Sequence, residues 1–473
     1  MYKCSEAWRT LKRIAFKMPD SPLRRSLLNR FEKVEISDED STGKVALHYA
    51  AQMGNLTTFL QVFGADPSVI DHRDEDGYTP LNFAVMGGFK DIVGFLLSKG
   101  ADVNHIDKEK HSLVHWSVVC GHLEILDLLL KQGALSSTPD LFGAHPVHYA
   151  TQLCNDGSQT GRDILHALLK HGTSPNCTDV EDRTPLLWAS SSGASEALLI
   201  LINAGADKQS VDKDRLSALH CAASRGHAII VANLLDLASA DRVVDPRDRN
   251  GCTPLFYAIT MGHIDCARIL LQNGCNPNLQ DRKLRTAAHY GAAKGQLAAL
   301  KLLHQHGASF SLQNYRGDLP LHEAITSGSS DLVHWMLSFY PTSALAANHK
   351  GRTGLHLAAS VGNLEICSLL VQNKADIQAL MLLKEELATP LNVAVAKDHQ
   401  DVVAFLRRKG AKTVDEIPTD KKEIARDNLI VRVAEAKSHQ QLAGTTSTTD
   451  SQMSSDGEQK HKDEKAKRKT SSG

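Results

Sequence analysis

Histidine is the residue type here with the most obvious capacity for chemistry. The chain has 23 histidines. Seven of them fill the same place in a recurring Thr-Pro-Leu-His-like motif: His48, His115, His148, His220, His289, His322 and His356. A zinc site needs ligand nitrogens about 2 Å from the metal, whereas packed helices lie about 8–10 Å apart. One such histidine per layer does not supply converging ligands. We therefore expect no metal and assign each histidine a hydrogen bond that ties a hairpin to a helix start.

The other reactive side chains do not form a recognisable catalytic or cofactor site. The nine cysteines are scattered, and no Cys-x-x-Cys pair occurs, which argues against a disulfide framework or a zinc ribbon and is typical of a reducing compartment. A hydrolytic site needs a nucleophile, a base and an orienting acid that converge. No Gly-x-Ser-x-Gly, His-Glu-x-x-His or phosphate-binding glycine motif appears in a suitable context. We predict no catalytic residues and no cofactor.

The motif histidines belong to eleven similar segments that follow one another along the chain. Typical ones are GYTPLNFAVMGGF from Gly77, GCTPLFYAITMGH from Gly251 and GRTGLHLAASVGN from Gly351. Most of the segments start about 33 residues after the one before, and the other intervals are slightly longer. Such regularity predicts one repeat array instead of the three globular domains that 473 residues would otherwise suggest.

Each segment predicts two short helices. A proline such as Pro80 or Pro254 suits the first helical turn, where its missing N–H has no intrahelical partner. A glycine that ends this helix suits a left-handed conformation, and it recurs in nine segments: Gly54, Gly88, Gly121, Gly193, Gly226, Gly262, Gly295, Gly328 and Gly362. A leucine-rich second helix and a polar Asp/Asn-rich turn follow. No single segment can bury its apolar face, so neighbours must stack.

These segments resemble the ankyrin-repeat family over roughly residues 41 to 412. The resemblance implies an all-α fold, a solenoid of stacked helix-turn-helix units with hairpin-like loops. It does not specify a function, because sites must be argued separately from folds. The fourth unit carries extra residues between its helices, at 155–160. The sixth and tenth are lengthened, at 240–246 and around 379–384.

The array divides the chain into four parts. Residues 1–36 form a basic helical N-terminal cap, and residues 37–412 form the solenoid. Residues 413–440 hold a candidate C-terminal capping helix, and residues 441–473 form a polar tail without packed structure. The tail patch 460–469 resembles a nuclear-import sequence but is interrupted by Asp463 and Glu464.

An aromatic side chain follows the motif histidine position in seven of the first eight units. These residues are Tyr49, Phe83, Trp116, Tyr149, Trp188, Tyr257 and Tyr290. Stacking aligns them along the first helices, near the concave surface. Two interpretations stay open: a half-buried framework, or a groove in which Tyr and Trp anchor a partner peptide. The variable hairpin tips, such as 107–109 and 314–316, are the second candidate binding surface.

The composition favours a protein-binding function. The chain has 53 Lys and Arg against 54 Asp and Glu, so no basic excess supports direct nucleic-acid binding. No apolar run is long enough for a membrane span. We predict a monomeric, non-catalytic scaffold or adaptor that holds partner proteins or peptide segments on the concave face, in the cytoplasm. The alternatives are a nuclear regulator that docks a transcription or chromatin factor, and a ciliary scaffold similar to the inversin type.

Overall fold

A computed structural model describes residues 39–236, 243–383 and 386–438. The predicted N-terminal cap and the polar tail lie outside the described residues. The chain divides into two compact units, the first with residues 39–249 and 253–275, the second with residues 250–252 and 276–438 of the described part. No helix among these residues is long and apolar enough to cross a membrane.

The described part of the first unit contains seven helix pairs, each formed by a short first helix and a leucine-rich second helix. They are α1 Ala46–Met53 and α2 Leu56–Ala65, α3 Pro80–Gly87 and α4 Lys90–Ser98, α5 Leu113–Cys120 and α6 Leu123–Lys131, α7 Pro146–Leu153 and α8 Gln159–Lys170, α9 Pro185–Ser192 and α10 Ser195–Asn203, α11 Ala218–Arg225 and α12 Ala228–Asp236, and α13 Pro254–Met261 and α14 Ile264–Gln272. First helices pack on the first helices of neighbouring pairs, and each second helix packs on its own partner.

The described part of the second unit contains four helix pairs, a small β-hairpin and a terminal helix. They are α15 Ala287–Ala293 and α16 Leu297–Gln305, α17 Pro320–Ser327 and α18 Ser330–Phe339, α19 Gly354–Val361 and α20 Leu364–Gln372, strands β1 Met381–Leu383 and β2 Glu386–Ala388, α21 Pro390–Ala396 and α22 Gln400–Arg408, and helix α23 at 419–438. The antiparallel hairpin pairs Met381 with Ala388 and accounts for the extra length before the eleventh repeat. Both units are stacks of helical hairpins, which confirms the all-α ankyrin-repeat solenoid as the fold class.

Local sequence explains the helix boundaries. Thr79 precedes α3 in an extended conformation, and Pro80 opens the helix with its ring already at the required φ. Small residues follow in the helix interior, where Ala50, Ala84 and Ala222 are completely buried. Their short side chains allow first helices of neighbouring repeats to pack closely.

The glycines after the first helices adopt the left-handed conformation that the sequence predicts. All nine have positive φ, between 68° at Gly295 and 87° at Gly193. In the eleventh repeat the same place is taken by Asp398, with φ 58°. A side chain with a Cβ costs about 1–2 kcal/mol in this region.

We expect Gly262→Val to destabilise the chain and Asp398→Gly not to destabilise it. Val at position 262 should lower the free energy of unfolding by about 2 kcal/mol, because a β-branched residue resists a positive φ. Gly at position 398 should leave it unchanged or raise it by up to about 1 kcal/mol. Urea unfolding followed by circular dichroism measures both. Equal curves for Gly262→Val and the parent chain would contradict the left-handed assignment.

Candidate partner-binding surface

Most repeats begin with a five-residue tip that a side-chain oxygen closes. We define the tip as the Asp or Asn at its start and the next four residues, as in 107–111. In tip 140–144, Oδ1 of Asp140 accepts the amides of Phe142 and Ala144, both at 2.8 Å. The same double acceptance occurs at Asp40, Asp74, Asp107, Asp179, Asp212, Asp281, Asn314 and Asn348. A short polar side chain that bonds its own backbone therefore sets the tip conformation.

We call the seven aromatic residues that follow the motif histidine position the aromatic row. Its Tyr and Trp side chains donate hydrogen bonds to the second oxygen of the same carboxylate. Nε1 of Trp116 donates to Oδ2 of Asp107 at 3.1 Å, nine residues earlier in the chain. Further bonds with this spacing join Tyr49 to Asp40, Tyr149 to Asp140, Trp188 to Asp179, Tyr257 to Asp248 and Tyr290 to Asp281. Tyr and Trp thus satisfy their polar atoms inside the repeat while their rings pack between repeats.

The structure places most of the row in the core. Tyr49, Trp116 and Tyr149 are 1% exposed. Trp188 and Phe83 are also buried, whereas Tyr257 and Tyr290 are half-buried. The framework interpretation fits the five buried side chains. A direct role in partner binding stays a prediction for the row, and the two half-buried tyrosines are its accessible members.

The row ends where the tip residue changes from aspartate to asparagine. Glu323 and Leu357 occupy the aromatic position of the ninth and tenth repeats, and their tips begin with Asn314 and Asn348. A Glu carboxylate or a Leu side chain at this position cannot donate a hydrogen bond to the second oxygen of an aspartate in the tip. A Glu carboxylate would also repel that aspartate. A neutral amide therefore suits both tips.

The motif histidines are buried hydrogen-bonding residues, as the sequence predicts. Nδ1 of His115 accepts the Ser112 amide at 3.0 Å at the start of α5. Its Nε2 contacts the carbonyl of Ala144 in the next tip at 3.1 Å, a link between repeats that was not apparent from the sequence. Equivalent Nε2 contacts reach the next tip from His48, His148 and His289, and the end of β2 from His356. Burial lowers the pKa of His115 to about 3 and that of His148 to about 4.

A second set of ties between repeats involves residues for which no role was predicted from the sequence. His122, His227 and His399 follow the left-handed position that ends the first helix. Their Nε2 atoms lie 3.2 Å from carbonyls of the preceding repeat, at Met86, Ser191 and Ser360. The sequence pattern that could have indicated this contact is the recurring Gly-His dipeptide, at 121–122, 226–227 and 262–263.

These contacts leave the histidines poorly suited to metal binding. Both ring nitrogens of His115 already have partners in the protein. Among the described residues, no group of three His, Cys, Asp or Glu side chains is arranged to hold a metal ion.

A ladder of backbone hydrogen bonds joins neighbouring tips within each unit. The amide of the second tip residue donates to the carbonyl of the third residue in the preceding tip, as Leu141 does to Glu109 at 2.9 Å. Five more such bonds occur in the first unit: Glu75 to Thr42, Lys108 to Asp76, Val180 to Phe142, Lys213 to Glu181 and Arg249 to Asp214. Side chains of the second to fourth tip residues project from this ladder and are mostly exposed.

Two neighbouring tips of the first unit expose apolar side chains. Leu141 is 55% exposed, Phe142 52% and Val180 46%. The amide of Val180 donates to the carbonyl of Phe142, so the three side chains sit on adjoining rungs of the ladder. Contiguous exposed apolar side chains on a rigid backbone are typical of protein-binding surfaces.

We expect acid to destabilise the chain through its buried histidines. Their folded-state pKa values lie below the unfolded value of about 6.5, so their contribution is complete above pH 6.5 and is lost as pH falls toward 4. At pH 5, each fully buried motif histidine should lower the free energy of unfolding by on the order of 2 kcal/mol relative to its value above pH 6.5. In the second repeat Asn82 stands at the motif histidine position, and its side-chain oxygen accepts a backbone amide. His115→Asn should keep such an acceptor but does not titrate. Its deficit relative to the parent chain should therefore shrink between pH 7.5 and pH 5.

Urea unfolding at the two pH values measures this difference. The exposed His166 on α8 provides the matched variant His166→Asn, which should follow the parent chain at both pH values. An equal deficit for His115→Asn at pH 7.5 and pH 5 would exclude the buried ring as a source of the pH dependence.

We also expect Trp116→Ala and Trp188→Ala to lower the free energy of unfolding by about 3–5 kcal/mol each, as buried Trp truncations do. Partner capture should fall only as the fold fails. Glu323→Ala, at the same motif position beyond the row, serves as the control. Lost capture at unchanged thermal stability would instead support the groove interpretation.

Comparisons with known proteins agree with this architecture. A family model described as ankyrin repeats (3 copies) matches residues 15–107, 47–140, 115–212, 186–281 and 339–416. A second, ankyrin repeats (many copies), matches residues 288–337.

Similar proteins include ankyrin repeat protein nuc-2 of Neurospora crassa, 31% identical over 271 residues, or 57% of this chain and 18% of that protein. Mouse inversin is 31% identical over 177 residues, or 37% of this chain and 16% of inversin. The chain thus spans less than a fifth of the length of these relatives. The human ASB11 ankyrin repeat domain is 26% identical and covers 47% of this chain and 97% of its own, with a TM-score of 0.42. The family-model matches over most of its length show that the chain belongs to the ankyrin-repeat family.

Proposed function

We propose that the chain is a non-catalytic scaffold or adaptor that binds partner proteins on the face shared by its tips and first helices. Ankyrin repeats generally serve as protein-binding modules, and the match to their family models supports this function. The observation that carries the proposal is the backbone ladder between tips, which presents variable exposed side chains at fixed spacing.

The physical basis is preorganisation. The tip amides and carbonyls are already hydrogen-bonded before a partner arrives, and Asp side chains hold each tip closed. Binding then orders few additional backbone groups, so a larger part of the contact energy appears as affinity. The half-buried Tyr257 and Tyr290 offer further aromatic contacts next to the tips.

The apolar pair of tips is the strongest candidate for a binding hot spot. Leu141, Phe142 and Val180 together supply a small apolar centre, and the polar residues Glu109, Glu181 and Asp182 surround it on the same tips and their neighbour. An apolar centre with a polar rim is the usual composition of protein interfaces.

We expect the triple variant Leu141→Ser, Phe142→Ser, Val180→Ser to lose a subset of partners without loss of stability. Each side chain projects into solvent and none closes the ladder, because the bonds there are made by the backbone. Loss of a hot spot should weaken partner binding by about 2 kcal/mol or more. Quantitative proximity labelling with the intact chain measures the loss of partners. Thermal melting of the purified variant measures its stability.

A matched control removes exposed apolar side chains from second helices of the same unit. Leu199 on α10 is 40% exposed and Ile229 on α12 is 69% exposed. Leu199→Ser with Ile229→Ser should leave the set of labelled partners unchanged. If the tip variant and this control retain the same partners as the parent chain, the tips are not the binding surface.

A further inference from the structure

The tips of the second unit differ from those of the first in charge. Tips 281–285, 314–318 and 348–352 carry six cationic side chains: Arg282, Lys283, Arg285, Arg316, Lys350 and Arg352. In the first unit, tips 74–78 and 179–183 carry exposed Glu75, Asp76, Glu181 and Asp182. Tips 107–111 and 212–216 of the first unit also carry exposed cations, but each has an exposed acidic residue as well, Glu109 or Asp214. The three tips of the second unit have cations and no exposed acidic residue.

Backbone hydrogen bonds fix the relative positions of these cations. The amide of Tyr315 donates to the carbonyl of Lys283 at 3.0 Å, and the amide of His349 donates to that of Arg316 at 3.1 Å. The ladder continues from Lys350 to the amide of Leu382 at 2.8 Å. Three rungs thus hold Arg282 and Lys283, then Arg316, then Lys350 in one row, with all four side chains exposed.

The acidic groups of these tips are already engaged in the fold. Asp281 is buried, and its Oδ2 accepts Nη2 of Arg285 at 2.8 Å and the hydroxyl of Tyr290 at 3.0 Å. Oδ1 of Asp318 accepts Nδ2 of Asn348 at 2.8 Å. Glu323 of α17 is half-buried; burial raises its pKa, and the nearby Arg285 and Arg316 oppose that shift. Four exposed cations therefore remain without an equal number of exposed anions on the same tips.

Arg352 adds a buried donor that lacks an acceptor. Its Nε is buried and has no hydrogen-bond partner among the described residues. Arg352 and Lys350 both line a surface cleft of about 620 Å³, together with Glu386 and Lys397. Arg316 is held in place by Tyr315, whose hydroxyl accepts Nε at 2.7 Å and whose ring lies 5.1 Å from the guanidinium carbon.

We propose that tips 281–285, 314–318 and 348–352 bind an extended acidic peptide segment through its carboxylates. Packed helices lie about 8–10 Å apart. A peptide in the extended polyproline II conformation has three residues per turn and rises about 3.1 Å per residue, so every third side chain lies on one face, about 9 Å from the next. Carboxylates at every third residue therefore match the spacing of the tips. A nucleic-acid strand in a duplex presents one phosphate per about 3.4 Å, roughly three times denser than the row of cations. The inference rests on the proposed function in that it uses the tips as a binding surface.

The test uses the full chain and two fluorescein-labelled dodecapeptides made of Glu, Gly and Ser. One has a glutamate at every third position, and the other has the same four glutamates contiguous. By fluorescence anisotropy, the spaced peptide should bind at least threefold more tightly than the contiguous one. Because the contacts are ionic and exposed, its affinity should fall when salt rises from about 50 to 200 mM.

Charge-removing variants locate the site. Arg316→Gln with Lys350→Gln should weaken binding of the spaced peptide at least tenfold. Lys301→Gln with Lys409→Gln removes two exposed cations of the same unit, one on α16 and one directly after α22, and should change binding less than twofold. Thermal melting should be the same for both double variants.

Three results would overturn the proposal: no saturable binding of the spaced peptide by the parent chain, equal losses in both double variants, or tighter binding of an oligouridine of matched length than of the peptide. These outcomes are separable from a failure of the scaffold function. Loss of partners on substitution of Leu141, Phe142 and Val180 with no peptide binding would refute the acidic-peptide inference alone. Peptide binding with unchanged partner labelling would refute the apolar hot spot alone.

Discussion

The rest of the structure depends on the hydrogen bonds that the short polar side chain at the start of each tip accepts. Oδ1 of Asp140 closes its own tip by accepting two backbone amides, and Oδ2 accepts the hydroxyl of Tyr149 from the following helix. One carboxylate therefore couples the tip conformation to the position of a large core ring. With the tip closed in this way, the amide of its second residue points toward the preceding repeat and completes the ladder. A buried carboxylate is costly unless its oxygens are hydrogen-bonded, and these contacts offset that cost.

Two sets of histidines then connect the repeats at opposite ends of the first helix. His115 reaches forward to the tip of the next repeat, and His122 reaches back to the end of the preceding first helix. Such bonds act between nearest neighbours only, which is the form of stabilisation expected for stacked repeats. Deep burial keeps the forward-reaching rings neutral, so that one nitrogen can donate and the other accept.

Variation is concentrated where these constraints do not act. The second to fourth tip residues contribute backbone atoms to the ladder, but their side chains face solvent. Apolar Phe142 and cationic Arg316 can therefore occupy the same place in different tips without changing the backbone around them. Asn314 and Asn348 show the converse, because in the ninth and tenth repeats the residue that closes the tip and the residue nine places later both change, whereas the second repeat keeps Asp74 with Phe83. The exposed side chains and the groups that stabilise the fold are thus different atoms of the same short segment.

The repeat period, the helix pairs and the left-handed glycines were all determined by the sequence alone, because they arise from local contacts that recur in one repeat after another. The hydrogen-bonding role of the motif histidines was also predictable, since Nδ1 bonds an amide only three residues away. The partners of Nε2, which for His115 lies in the next repeat, were decided only by the tertiary structure. The aromatic row shows the same limit. Its spacing was visible in the sequence, but burial of Trp116 depends on the neighbouring repeat, whose Tyr78 ring packs edge-on at 5.6 Å. Periodicity identifies which residues are equivalent, whereas only the stacking of one repeat on the next decides which of their atoms remain exposed.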